Sequence, residues 1–238
     1  MSRLAEVAVE RELKGPLRHF KRSPPAFEVR LHPLYNPEAV TQYNIVPGLM
    51  GVVLTMTMVV ITAVALTRER ERGTLENLLA TPLRPVEVML GKIVPYIFVG
   101  YVQVTLILLA ARVIFAVPMR GSLVLLYTVA LLFIAANLMV GVTFSTLARS
   151  QLQAVQMAFF FFLPSILLSG FMFPFRGMPV WAQWVGSMLP LTHFLRNVRG
   201  VLLKGNGWLE SLPHLWPVAL FLGVMLGLGL LRYRRTLD

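Results

Sequence analysis

The stretch of this sequence best equipped for a task is RERERGTLENLLATPLRPVEVMLGK, residues 68–92. It is too charged to cross lipid and too patterned to be a passive linker. Gly73 breaks the helix before it, and the Thr74 hydroxyl can cap the next one. Glu76 then falls in a first turn, where the helix dipole favours negative charge. Leu75, Leu78 and Leu79 make one apolar face, and Pro82 with Pro85 ends the helix near Ala80. With Arg68, Glu69 and Glu71 leading in, the product is a compact surface knob. Its chemistry is docking: it can hold a soluble partner and pass that partner's motion to the spans. The plainer alternative, that alternating Arg and Glu only keep a loop solvated, stays open.

A second segment, Pro174 to Gly205, is too interrupted by Pro and Gly to span a membrane, yet it carries two helical stripes. Val180, Trp181, Trp184, Val185, Met188 and Leu189 form the first, and Phe194, Leu195, Val198, Val201 and Leu202 form the second after Pro190. Trp181 and Trp184 are residues of a membrane–water boundary. Two short amphipathic helices at or dipping into the outer interface are expected, with Arg196, Arg199 and Lys204 turned to water or headgroups. Thr192 is read as a cap, His193 as a residue without a proton-relay partner, and Gly200 and Gly205 as breaks. A pore gate and a simple interfacial belt both fit.

Other chemistries are excluded. There is no GxxxxGK[ST] phosphate loop, no HExxH, no GxSxG and no paired-carboxylate arrangement. Cysteine is absent, which removes disulfides and thiolate chemistry. No Asp or Glu lies within an apolar block, so an intramembrane enzyme and proton-coupled antiport lose their usual groups. The chain is expected to be no enzyme and to bind no cofactor. Any energy source must come from another chain.

Long apolar blocks must position these two segments. Of 238 residues, 56% are hydrophobic and 14% charged, against about 45–50% and about 25% in soluble domains. A bilayer core takes about 20 apolar residues per helix, and five blocks pass: 45–67, 93–117, 121–147, 151–172 and 213–231, with a kink expected at Pro164. The fold class is an all-α polytopic helical bundle of five spans. The 45–238 region is read as its transmembrane domain, and 1–44 as an N-terminal, extracytoplasmic remnant. Thr55, Thr57, Gln103, Asn137, Gln153 and Gln156 are neutral polar residues suited to helix contacts, and Arg112 is close enough to a span end to snorkel. The formal charge of +11 is assigned to topology and membrane lipids rather than nucleic acid. Arg68, Arg70, Arg72, Arg84, Lys92, Arg149, Arg232, Arg234 and Arg235 gather on one side, which puts the C-terminus in the cytoplasm. Arg30, Arg120, Arg176, Arg196, Arg199 and Lys204 fall on the other. Parity then sends residues 1–44 outside despite their seven Lys and Arg, and a missing upstream span is the favoured explanation.

Three segments in order resemble the ABC-2 type transporter permeases, especially the bacterial multidrug-exporter branch: residues 68–92, LLSGFMFPFRGMPVWAQ at 167–183 and LPLTHFLRNVRGVLLKG at 189–205. The resemblance covers about residues 36–235. It implies that Arg68, Glu69, Glu71, Gly73, Thr74, Leu75, Glu76, Leu78 and Leu79 belong to a coupling helix that docks on soluble ABC ATPase subunits. It further implies that Pro174, Trp181, Trp184, Pro190, Thr192, His193, Arg199, Gly200 and Gly205 belong to outer re-entrant helices. ATP and Mg would sit on the partner ATPase, and the chain would form a homo- or hetero-dimer with another permease in the bacterial inner membrane. Its expected work is efflux of a hydrophobic or amphipathic, drug-like or lipid-like substrate. The family's usual subunit has six spans. LHPLYNPEAVTQYNIVPG at 31–48 resembles the end of the extracytoplasmic region before the second, so the first span is expected to be absent. A truncated, non-transporting scaffold or regulator is the alternative.

Overall fold

The computed structural model of the chain describes residues 41–72 and 85–235. In order they form α1 (Thr41–Glu71), α2 (Pro85–Val113), α3 (Leu123–Leu147), α4 (Gln151–Leu168), a 3₁₀ turn (Phe175–Gly177), α5 (Val180–Met188), α6 (Pro190–Arg199), a π turn (Gly200–Lys204) and α7 (Trp208–Arg235). Five of these helices are long and apolar enough to cross a membrane, in the places the apolar blocks predict. Lipid offers backbone groups no partner, so helices that satisfy themselves are the form such blocks take.

The ends differ from the blocks. α1 has 31 residues, about 46 Å at 1.5 Å per residue against a hydrocarbon core of about 30 Å. Its last turns, with Arg68 to Glu71, therefore project beyond the core. α4 continues through Pro164, and α7 through Pro213 and Pro217.

α3 is the centre of the bundle. It is apolar on every side, the pattern of a helix surrounded by protein, and 61% of its spanning window is buried, against 22% for α2 and α4 and 11% for α7. Met50, Leu54 and Met58 of α1, Val104 and Leu108 of α2, and Phe133, Ile134 and Leu138 of α3 share one core. α1 and α3 approach closely where Gly141 faces α1: a Cβ there would come within 2.8 Å of the Val59 carbonyl. Small residues that let backbones approach are the usual basis of packing in lipid.

Buried hydroxyls in the spans mostly return to their own helix. Thr55 donates to the Gly51 carbonyl at 2.8 Å, Thr67 to Ala63 at 2.7 Å, and Thr143 to Met139 at 2.9 Å. Thr57 Oγ1 lies 2.8 Å from both the Val53 carbonyl of its own helix and Gln103 Oε1, and the second contact ties α1 to α2, the helix-contact role expected of both residues.

Candidate coupling end and outer helices

The described parts of the two expected segments lie at opposite ends of the bundle. At the first end the tip of α1 is held to three other elements. Lys92 of α2 pairs with Glu69. Arg70 Nη1 donates to the Thr146 carbonyl of α3 at 3.4 Å. Glu71 receives the Gln151 backbone N–H at 2.8 Å on one oxygen and the Gln151 side-chain amide on the other. A carboxylate on the first N–H of a helix satisfies an orphan donor and meets the positive end of the dipole. Ser150 caps the same helix by accepting from Gln153 N at 3.3 Å, and Gln153 Oε1 accepts from Arg149 N at 2.8 Å.

Arg68, Arg70, Arg72, Lys92 and Arg149 are thus brought to one end, as the charge count expects. Arg68 and Glu71 are exposed, while Glu69 and Glu71 are both engaged within the chain. Gly73, Thr74, Leu75, Glu76, Leu78 and Leu79 lie outside the described residues. The sequence reading gave Gln151 no role and counted Lys92 only as charge. Gln151 carried a signal in its position, since it opens α4 beside a short charged connection; Lys92 lies about two turns inside α2.

The opposite end is marked by Arg120, whose N–H donates to the Leu202 carbonyl at 3.1 Å. Here the two outer helices part company. α5 lies on the surface with its stripe outward: Val180 is 70% exposed, Trp181 and Trp184 each 67%. α6 is set into the bundle, and Leu191, Phe194, Leu195 and Val198 are buried. Phe194 stacks on Phe133 of α3 with ring centroids 4.0 Å apart. One helix rests on the surface of the bundle and the other is packed inside it.

The connections explain this. Pro174 accepts from Gly177 N at 2.9 Å in the 3₁₀ turn. Gly186 lets α5 approach the end of α4: a Cβ there would lie 2.4 Å from the Leu168 carbonyl. Pro190 occupies the first turn of α6 with Leu189 as its N-cap, the position that proline's fixed φ suits. Thr192 is therefore not the cap. It sits inside the helix and donates to the Gly186 carbonyl at 2.5 Å. Gly205, at φ +76°, closes the π turn that begins at Gly200.

His193 is buried, with Nε2 2.8 Å from the Ser187 carbonyl. Its ring lies 5.8 Å from that of His214 on α7, so it has the neighbour the sequence reading did not find. Burial pushes its pKa below the usual histidine value; the Ser187 bond opposes this and Arg196 reinforces it.

Arg196 and Lys204 are exposed as expected, Arg196 above the Phe175 ring at 4.6 Å. Arg199 is not turned to water. Its Nη1 reaches the Gly170 carbonyl at 3.5 Å, its Nε is buried without a partner, and Nη2 would stand 3.3 Å from a Cβ at Gly48 of α1. Desolvation lowers its guanidinium pKa.

A bundle with these two ends is what the resemblance implies, and the family model described as ABC-2 family transporter protein matches residues 9–231. The chain belongs to the ABC-2 transporter family. The match reaches well before residue 36, into a stretch that the resemblance left unplaced. Relatives of this ABC-2 chain include YbhS of Escherichia coli K12, named as a probable multidrug ABC transporter permease, 34% identical over 215 residues. That alignment takes in 90% of this chain and 57% of YbhS. YbhR of the same organism, named likewise, is 32% identical over 83% of this chain and 54% of its own length. ABC transporter G family member 20 of Dictyostelium discoideum is 30% identical over 72% of this chain and 24% of its own length. The chain spans about half the length of the two bacterial relatives.

Proposed function

We propose that this chain is a membrane-spanning permease subunit of an ATP-binding cassette exporter in the bacterial inner membrane. It moves a hydrophobic or amphipathic molecule out of the cytoplasm, pairs with a second permease, and draws on ATP hydrolysis in separate ATPase subunits, which hold the ATP and Mg. One observation carries the reading: the residues leading into and out of segment 73–84 are tied to three spans, through Glu69 to Lys92, Arg70 to Thr146 and Glu71 to Gln151.

A push on that segment by a docked ATPase would reach α2, α3 and α4 together. The family match and the multidrug permease names of YbhS and YbhR support the same reading. At the other end α6, packed on α1, α3 and α7, is placed to move when those spans move. Gly73, Thr74, Leu75, Glu76, Leu78 and Leu79 are assigned to the docking helix.

The test is purification with the ATPase from the native membrane, followed by ATP hydrolysis and dye transport in proteoliposomes. Gly73→Pro is expected to abolish transport and leave membrane insertion intact. Undiminished transport refutes the docking role, and an ATPase that stays bound but transports nothing with the wild-type chain marks a scaffold instead.

A further inference from the structure

At the end of the bundle away from the α1 tip, a groove of about 410 Å³ opens between the last turn of α4, the connection after it and the start of α5. Leu167 and Leu168 of α4, Phe173 and Met178 of the connection, and Trp181 and Ala182 of α5 form its walls. The volume is that of a small-molecule site, about 300–1,000 Å³. α4 has 18 residues, about 27 Å at 1.5 Å per residue against a hydrocarbon core of about 30 Å. With Gln151 at one face of the bilayer, Leu167 and Leu168 stand near the other, so the groove lies where hydrocarbon gives way to headgroups. Trp181 is exposed there, at the level tryptophan favours.

The groove offers little to a polar guest. Pro174 and Pro179 lack an N–H. Gly177 N donates to the Pro174 carbonyl at 2.9 Å, Met178 N to Phe175 at 3.4 Å and Ala182 N to Pro179 at 3.0 Å. Gln183 Nε2 donates to the Met178 carbonyl at 2.8 Å. What remains is a hydrocarbon surface, which a hydrocarbon chain fits. Lipid tails are as apolar as Leu, so the groove seats a chain without choosing the lipid that owns it.

The choice lies with charge. Residues 168–207 hold Arg176, Arg196, Arg199 and Lys204 and no Asp or Glu. All three guanidiniums gather on the connection that lines the groove. Arg176 is part of it and exposed, Arg196 stands over the Phe175 ring at 4.6 Å, and Arg199 reaches back to the Gly170 carbonyl. Among the described residues none of the three meets a carboxylate. The next acid along the chain, Glu210, accepts from Gly207 N at 3.1 Å. Guanidinium is the group that matches phosphate oxygens. A zwitterionic headgroup would bring a cation of its own to this cluster, whereas phosphatidylglycerol brings a phosphate and a neutral glycerol.

We infer that the groove is a binding site for an anionic phospholipid of the bilayer, with one acyl chain lying against Leu167, Phe173 and Trp181 and the phosphate meeting Arg176 and Arg196. The site needs a bilayer but no transport, ATPase or nucleotide, so it can fail without the proposed function and the reverse.

The full chain in phosphatidylcholine nanodiscs is irradiated with phosphatidylglycerol bearing a diazirine near the head of one acyl chain, and in parallel with phosphatidylcholine carrying the same chain. Labelled peptides are mapped, and the ratio of the two signals is read for residues 167–182 and for residues 212–224 of α7. The ratio should be about fivefold higher at the groove, the worth of about one basic side chain against an anionic lipid. Arg176→Gln should lower it to near the α7 value. Arg120→Gln, which removes an exposed charge from the same end, should leave it unchanged. A Cβ at Gly177 meets nothing within 4 Å, so Gly177→Leu is accommodated and sets a side chain at the groove's lip; groove labelling by both probes should be lost. Equal ratios at the groove and on α7 in the wild-type chain overturn the site without recourse to any variant. Equal falls with Arg176→Gln and Arg120→Gln would reduce it to a general surface field, and groove labelling that survives Gly177→Leu would put the chain elsewhere; either result overturns it.

Discussion

Replacing Phe194 by Ala separates a helix set into the bundle from one resting at its surface. In a micelle the unpacked helix still sits among hydrocarbon, so the transfer term is small and the loss is mainly the cavity. Removing about 100 Å³ of side chain at about 24 cal/mol per Å³ costs about 2.4 kcal/mol. Loss of the stack on Phe133, at 4.0 Å, adds about 1 kcal/mol. The expected destabilisation is therefore about 3 kcal/mol, read from reversible unfolding in mixed micelles titrated with dodecyl sulfate. Trp184→Ala on α5, where the side chain is 67% exposed, should stay within about 0.5 kcal/mol. A Phe133→Ala, Phe194→Ala cycle should return a coupling of about 1 kcal/mol. Equal small effects at Phe194 and Trp184 would mean that α6 rests on the surface like α5, and its placement inside the bundle would fail.

At the coupling end, Glu69→Lys or Lys92→Glu alone should lower transport severalfold while the exchanged pair recovers it; no recovery would remove the ion pair from the coupling path. Glu71→Ala should reduce transport without loss of co-purified ATPase, whereas loss of the ATPase would move Glu71 from transmission to docking. Gly186→Val should lower the thermal midpoint and cost roughly 1–3 kcal/mol, since its side chain meets the Leu168 carbonyl. His193, held below the usual histidine pKa mainly by burial, takes its proton less readily folded than unfolded. Stability is then full above about pH 6.5 and declines as pH falls below it. His193→Asn should flatten that decline in a thermal scan from about pH 7.5 to about pH 5.5, and an unchanged slope would assign it to other groups.

The five spans were legible because block length and the needs of a backbone in lipid leave few alternatives. The difference between α5 and α6 was not. Both carry an apolar stripe, and lipid tails are as apolar as Leu, so periodicity cannot say whether a stripe faces the bilayer or the protein. Arg199 was misread for a related reason: charge suggests water, but the Gly170 carbonyl and the space at Gly48 hold it inward. The proline at the start of α6 displaced Thr192 from the cap, a conflict visible in the order Pro190, Leu191, Thr192 and settled by proline's fixed φ. Lys92 and Gln151 escaped notice because their partners, Glu69 and Glu71, are 23 and 80 residues away.

The central claim, that ATPase motion enters through the α1 tip and drives export, is tested most directly by ATP-dependent uptake of a lipophilic dye into inside-out vesicles. The vesicles carry the co-purified complex with either wild-type chain or the Glu69→Lys, Glu71→Lys double variant. The account predicts uptake with the wild type, and with the variant continued ATP hydrolysis but little or no uptake. Uptake at the wild-type rate by the double variant would contradict it.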